Sequence, residues 1–218
     1  VAQHLTRDPG FAATTFVVID FETTTPAGFR PEPIEVAALA LRPASGRMAE
    51  VFRFDALMRP PAHAPITVFD AEQTHITSAM VVGQPPAATI LGGLDACLTA
   101  PPYLLVAHHA PTEAGILYDH RSCCPRLAAT ALLDTVRIAR TLYPELHSHR
   151  LDVLLDHVHI TRPARRHRAM PDVEATAELF VQLIDAGSAN GAWRTLHDLT
   201  AIAGYAAKAA QPRQDALF

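Results

Sequence analysis

Hydrophobic and polar positions follow two rhythms along this chain. Phe16-Val17-Val18-Ile19 is a short apolar run rich in β-branched residues, which predicts a buried strand ending at Asp20. Residues 34–41 and 51–57 are further strand candidates. Pro43-Ala44-Ser45-Gly46 between them is turn chemistry, so an antiparallel meander follows the first strand. Short helical turns are expected over 67–82, and Pro85-Pro86 opens a helix reaching about Leu98. Leu104-Leu105-Val106-Ala107 is a second buried strand, succeeded by a helix from about Thr112 to His120. More helices are expected near 134–142, 150–157 and 171–186. The last of these places Val173, Ala177, Phe180, Val181 and Ile184 on one face. Strands first, then strands mixed with helices, predict an α/β domain on a mixed sheet.

The flanks lack this regularity. Residues 1–13 read as a flexible N-terminal arm, because Arg7-Asp8-Pro9-Gly10 breaks any period. The domain itself covers 14–186. Beyond it, Gly187 to Gly191 reads as a linker, Trp193 to Ala210 as a helix, and the rest of 187–218 as a polar tail.

Composition narrows the function classes. A chain of 218 residues, 49% hydrophobic and 18% charged, fits one globular domain. A formal net charge of -4 argues against a broad cationic surface for gripping duplex DNA. It leaves open an enzyme that holds a strand end with metal ions and a small local patch. Three cysteines, Cys97, Cys123 and Cys124, make no disulfide framework and read as reduced thiols. With no long apolar run and no leader pattern, a cytoplasmic location and no membrane partner are expected.

The chemistry sits where elements end. Asp20 and Glu22 close the first strand two residues apart, so both face one side while Ile19 and Phe21 face the other. Paired carboxylates repel each other unless a divalent cation lies between them, and hard oxygen ligands suit Mg²⁺ or Mn²⁺. Taken alone, two solvated carboxylates explain the pair as well. His167-Arg168-Ala169-Met170-Pro171-Asp172 places an acid in the first turn of a helix, where the dipole favours negative charge, with a histidine in the loop before it. A capping Asp and a surface His is the plainer account. After the second strand, His108-His109-Ala110-Pro111-Thr112-Glu113 sets another acid at a helix start.

Together the three segments resemble the DEDDh 3′–5′ exonuclease family, to which the epsilon proofreading subunit of bacterial DNA polymerase III, oligoribonuclease and ribonuclease T belong. Asp20, Glu22 and Thr23 match its D-x-E-T motif. His108 to Glu113 align with H-N-A-x-F-D, and His167, Ala169 and Asp172 match H-x-A-x-x-D. Pro33-Ile34-Glu35-Val36 and Thr74-His75-Ile76-Thr77 are similar to the family's second strand and its "H-G-I-T" segment. The resemblance implies a ribonuclease H-like mixed sheet and hydrolysis of a terminal phosphodiester with two divalent cations, Mg²⁺ or Mn²⁺. It implies Asp20, Glu22, Glu113 and Asp172 as metal ligands and His167 as general base. Phe21, Thr23, Thr24, His108 and Arg168 would line the substrate. The second motif departs from the pattern at His109, Thr112 and Glu113, where Asn, Phe and Asp are usual. Glu113 keeps the charge and adds about 1.5 Å of reach, so the second metal is where this chain differs.

The resemblance further implies a single-stranded nucleic acid 3′ end as partner and a DNA polymerase as a companion, and the clamp-like C-terminus favours DNA before RNA. The terminal Gln214-Asp215-Ala216-Leu217-Phe218 resembles the pentapeptide with which bacterial polymerases bind the sliding clamp, carried by Gln214, Leu217 and Phe218. Two alternatives remain: an exoribonuclease trimming short RNA, and a nucleic-acid-binding module of this fold with weakened catalysis. Arg162, Arg165, Arg166 and Arg168 form a dense basic segment placed to meet substrate phosphates. His147, His149, His157 and His159 come in pairs two apart; without cysteine pairs they read as loop and surface histidines.

Overall fold

The computed structural model describes residues 5–163 and 167–210. A 3-10 turn (Leu5–Arg7) and α1 (Pro9–Ala13) precede β1 (Thr15–Thr23), β2 (Pro33–Ala44) and β3 (Arg47–Leu57). Helices α2 (Val68–Thr74), α3 (Ser78–Val81) and α4 (Ala87–Ala96) lead to β4 (Tyr103–Ala107), α5 (Pro111–Asp119), α6 (Pro125–Ala129) and β5 (Leu132–Asp134). Then come α7 (Thr135–Leu142), α8 (Leu151–His157), α9 (Ala169–Ala189), α10 (Leu196–Ala203), the two-residue β6 (Gly204–Tyr205) and a 3-10 turn (Lys208–Ala210). The strands form one sheet in the order β3-β2-β1-β4-β5-β6. β1, β4 and β5 run parallel, and the other pairings are antiparallel. This is the mixed α/β sheet that the sequence pattern predicts. Among the described residues no helix is long and apolar enough to cross a membrane.

β1 lies in the interior of the sheet and is covered on both faces, which is why it reads as an unbroken apolar run. Phe16 and Val18 pack with α7, α8, α9 and α10, whereas Val17, Ile19 and Phe21 pack with α4, α5 and α6. The even-numbered row continues past the core to Asp20 and Glu22, so the strand's two-residue period delivers both carboxylates to the α9 face.

The flanks differ from expectation. Residues 5–13 are no loose arm: Leu5 and Phe11 are fully buried, and the Phe11 ring lies 5.0 Å from that of Phe16. The Asp8 carboxylate accepts from the Phe11 N–H at 2.8 Å and the Leu196 N–H at 3.0 Å, capping α1 while tying it to α10. Gly187 is helical, not part of a linker. A Cβ there would lie 2.0 Å from Trp193, whose indole is buried and donates to the Ile184 carbonyl at 3.0 Å. The helix expected over 193–210 is confined to α10.

Candidate active site

The pairing of β1 with β2 sets Asp20 opposite Ala37 and Glu22 opposite Glu35. Two carboxylates facing each other on one sheet face repel, and Glu35 is only 2% exposed. Arg168 offsets that charge. Its Nε lies 3.1 and 3.0 Å from the two Glu35 oxygens, and its Nη2 lies 2.6 Å from Oε1. Glu35 also accepts from the Ala169 N–H at 2.9 Å, so a β2 carboxylate serves the N-terminus of α9, where Arg168 makes no side-chain cap. The start of α9 is thereby fixed over the end of β1.

That anchoring positions the third motif. Asp172 is buried in the first turn of α9, and its Oδ2 accepts from the His167 N–H at 3.2 Å. His167 adopts the left-handed conformation, φ 60°, an uncommon state for a non-glycine residue that this bond helps hold. Glu22, His167 and Asp172 each offer a donor atom within 4.8 Å of the others, a set of hard oxygens and one imidazole that fits a divalent cation. Asp20, His167 and Asp172 line one open cleft of about 710 Å³ together with His108 and His109. Asp20 thus comes to the cleft, whereas the close triad is made by Glu22, His167 and Asp172.

The second motif is built around Asp134, which ends β5. Asp134 Oδ1 accepts from the Val136 N–H at 2.9 Å and from the His109 N–H at 3.2 Å, capping α7 and pinning the loop after β4. His108 Nδ1 lies 2.9 Å from Thr135 Oγ1, while the Thr135 hydroxyl donates to the Ala107 carbonyl. Glu113 sits in the first turn of α5 and is 3% exposed; its Oε2 has no hydrogen-bond partner. It falls outside the close triad. Burial, reinforced by the charge of Asp134, pushes its carboxyl up to about 8. Between its ordinary 4.5 and about 8 the folded chain therefore holds a proton that the unfolded chain has released. Stability then falls as pH rises through that window. In EDTA, wild-type Tm should decline from pH 5 to pH 8, and Glu113→Gln should flatten the decline. Parallel curves from scanning calorimetry would count against this.

The expected substrate residues are placed unevenly. Thr23 is half-buried at the strand end. Phe21 points into the opposite core, and Thr24 is fully buried with its N–H on the Glu32 carbonyl at 2.9 Å, so neither side chain lines the cleft. Arg168 is committed to Glu35, and Arg162 is paired with Asp156. Arg165, Arg166, Gln214, Leu217 and Phe218 lie outside the described residues. Sequence reasoning missed Glu35 as an anchor, although a lone carboxylate inside the apolar run 34–41 is itself the signal for a buried partner. It also missed Asp70, which holds the loop after β1 by accepting from the Thr25 N–H at 3.1 Å and hydroxyl at 2.6 Å.

The chain is similar to known proteins in sequence and in fold. The profile of the RNase T exonuclease family matches residues 17–180. The chain is 33% identical over 171 residues to a PolC-type DNA polymerase III of Oceanobacillus iheyensis, a match covering 78% of this chain and 11% of that protein. It is 34% identical over 180 residues to a DNA polymerase III subunit epsilon-like protein of Rhodobacter capsulatus, covering 81% and 25%. The chain thus spans a quarter or less of these relatives. In fold it is similar to the nuclease domain of 3'hExo, a DEDDh family member bound to rAMP, with a TM-score of 0.70, 19% identity, and coverage of 83% of this chain and 95% of that one.

Proposed function

The chain belongs to the RNase T exonuclease family, and from that premise we propose that it is a 3′–5′ exonuclease of the DEDDh type that releases nucleoside 5′-monophosphates from single-stranded or frayed DNA 3′ ends. The observation that carries this reading is the meeting of Glu22, His167 and Asp172 at one point of the fold. Asp20, Glu22, Asp172 and Glu113 would hold two divalent cations, Mg²⁺ or Mn²⁺. Bound there, such cations supply Lewis-acid polarisation of the phosphate. The unpartnered Glu113 oxygen beside the charge of Asp134 fits a nearby cation, which would favour the ionised carboxylate.

In the reaction a water oxygen attacks the terminal phosphorus. The bond to the preceding 3′ oxygen breaks, His167 takes the water proton, and the leaving oxygen gains one. The Asp172 carboxylate holds the His167 backbone and so aims the imidazole. DNA is favoured because the relatives are DNA polymerase III proteins, and a DNA polymerase is the proposed partner on the same ground. Clamp binding through Gln214, Leu217 and Phe218 rests on their sequence alone. The rAMP bound by the 3'hExo nuclease domain keeps short RNA as a second reading.

One assay separates these readings. Labelled single-stranded DNA, a mismatched primer-template and short RNA are each incubated with Mg²⁺, Mn²⁺ or EDTA. We expect 5′-mononucleotides from DNA with either metal and none with EDTA. Faster loss of RNA would move the assignment to an exoribonuclease, and no degradation of any substrate would leave only a binding module.

A further inference from the structure

A cleft that gathers Asp20, Asp152 and Asp172 repels a polyanion, and the chain's net charge of -4 does nothing to help. Cations must offset this locally. Arg162 and Arg168, from the basic segment before α9, are paired with Asp156 and Glu35. The same cleft is also lined by Arg140 on α7 and by His147, Ser148, His149 and Arg150 from the segment joining α7 to α8. Arg140, His147 and Arg150 are exposed. Among the described residues neither Arg140 nor Arg150 has a carboxylate partner. The segment is not loose at this point. His149 Nε2 lies 3.0 Å from the Tyr143 carbonyl, which can only accept, so Nε2 donates and folds the segment back on the end of α7.

We propose that Arg140, His147 and Arg150 form a phosphate track that holds the substrate strand behind its terminal nucleotide, with His149 as the residue positioning it. The track rests on the exonuclease reading and says where the strand runs. It uses charge at two arginines, with an imidazole beside them, instead of a basic surface, which reconciles a polyanionic substrate with an acidic protein.

The test is Arg140→Ala/Arg150→Ala, with Arg42→Ala/Arg47→Ala at the far end of the sheet as the equal-charge control. Binding of a fluorescent single-stranded oligodeoxynucleotide is followed by anisotropy in EDTA, so it is read whether or not cleavage occurs. Loss of two phosphate contacts should weaken binding about tenfold or more and reduce the slope of log affinity against log salt by about 1.4. In Mg²⁺ the loss should appear in KM with kcat changed far less, and the control should match wild type in all three. His147→Ala should reproduce a smaller KM effect. Wild-type affinity and salt slope in the double variant would overturn the track, as would a fall in kcat at constant KM. Failure of the wild-type enzyme to cleave any 3′ end would instead strike the exonuclease reading.

Discussion

His167→Ala lowers kcat for 3′-terminal cleavage by about 10²–10⁴-fold, the usual scale for loss of a general base. The expectation follows from placement. The His167 ring offers a nitrogen within 4.8 Å of donor atoms on Glu22 and Asp172, while its backbone is tied to Asp172 by the 3.2 Å bond. That backbone bond survives the substitution, so the carboxylates should stay where they are and the deficit should be one of chemistry. KM for the oligonucleotide should change little, because the imidazole acts on the attacking water and does not hold the strand. Single-turnover kinetics at saturating Mg²⁺ isolates the step. If the ring instead served mainly as a metal ligand, raising the metal concentration would restore much of the rate. Activity within a few-fold of wild type would remove His167 from the mechanism.

What the sequence shows of this site is what local periodicity can encode. The row Phe16, Val18, Asp20, Glu22 shares a face because a strand alternates, and the first motif needed no more than that. α9 was legible from its apolar spacing and from the proline and acid in its first turn. The parts that escaped depend on distant partners. Glu35 and Arg168 lie 133 residues apart, and nothing local marks them as one unit. β5 and β6, of three and two residues, exist because β4 and β5 offer ladder edges to them. Asp8-Pro9-Gly10, read as a break, is a helix N-terminus with Asp8 as cap and Pro9 at the first position. The C-terminal helix stops at Gly204, where a Cβ would lie 2.3 Å from the Thr200 carbonyl oxygen. A histidine pair that read as surface turned out to line the cleft because the segment between α7 and α8 folds towards α9.

Arg168→Ala should unfold the protein more readily than any exposed arginine substitution, and its outcome decides between two roles for that residue. As a substrate contact, Arg168 would cost mainly KM. As the partner of Glu35, it leaves a carboxylate 2% exposed without its cation. Glu22 then stands opposite in the strand register, and Asp55, already pushed up by burial and by Glu35, stands nearby. Breaking a buried pair from one side typically costs about 3–5 kcal/mol, which for a chain of this size is a fall in Tm of roughly 10 °C. Arg168→Lys should recover only part of it, since one ammonium cannot reproduce the fork on both Glu35 oxygens. Adding Glu35→Gln to Arg168→Ala should return much of the lost stability, because the stranded charge is gone, while kcat stays low: the Ala169 N–H then meets a neutral oxygen and the start of α9 is held less firmly. A thermal melt and a measurement of kcat and KM on the three variants suffice. Unchanged Tm with a raised KM would make Arg168 the substrate residue that the sequence first suggested, and would leave the burial of Glu35 without its compensating partner.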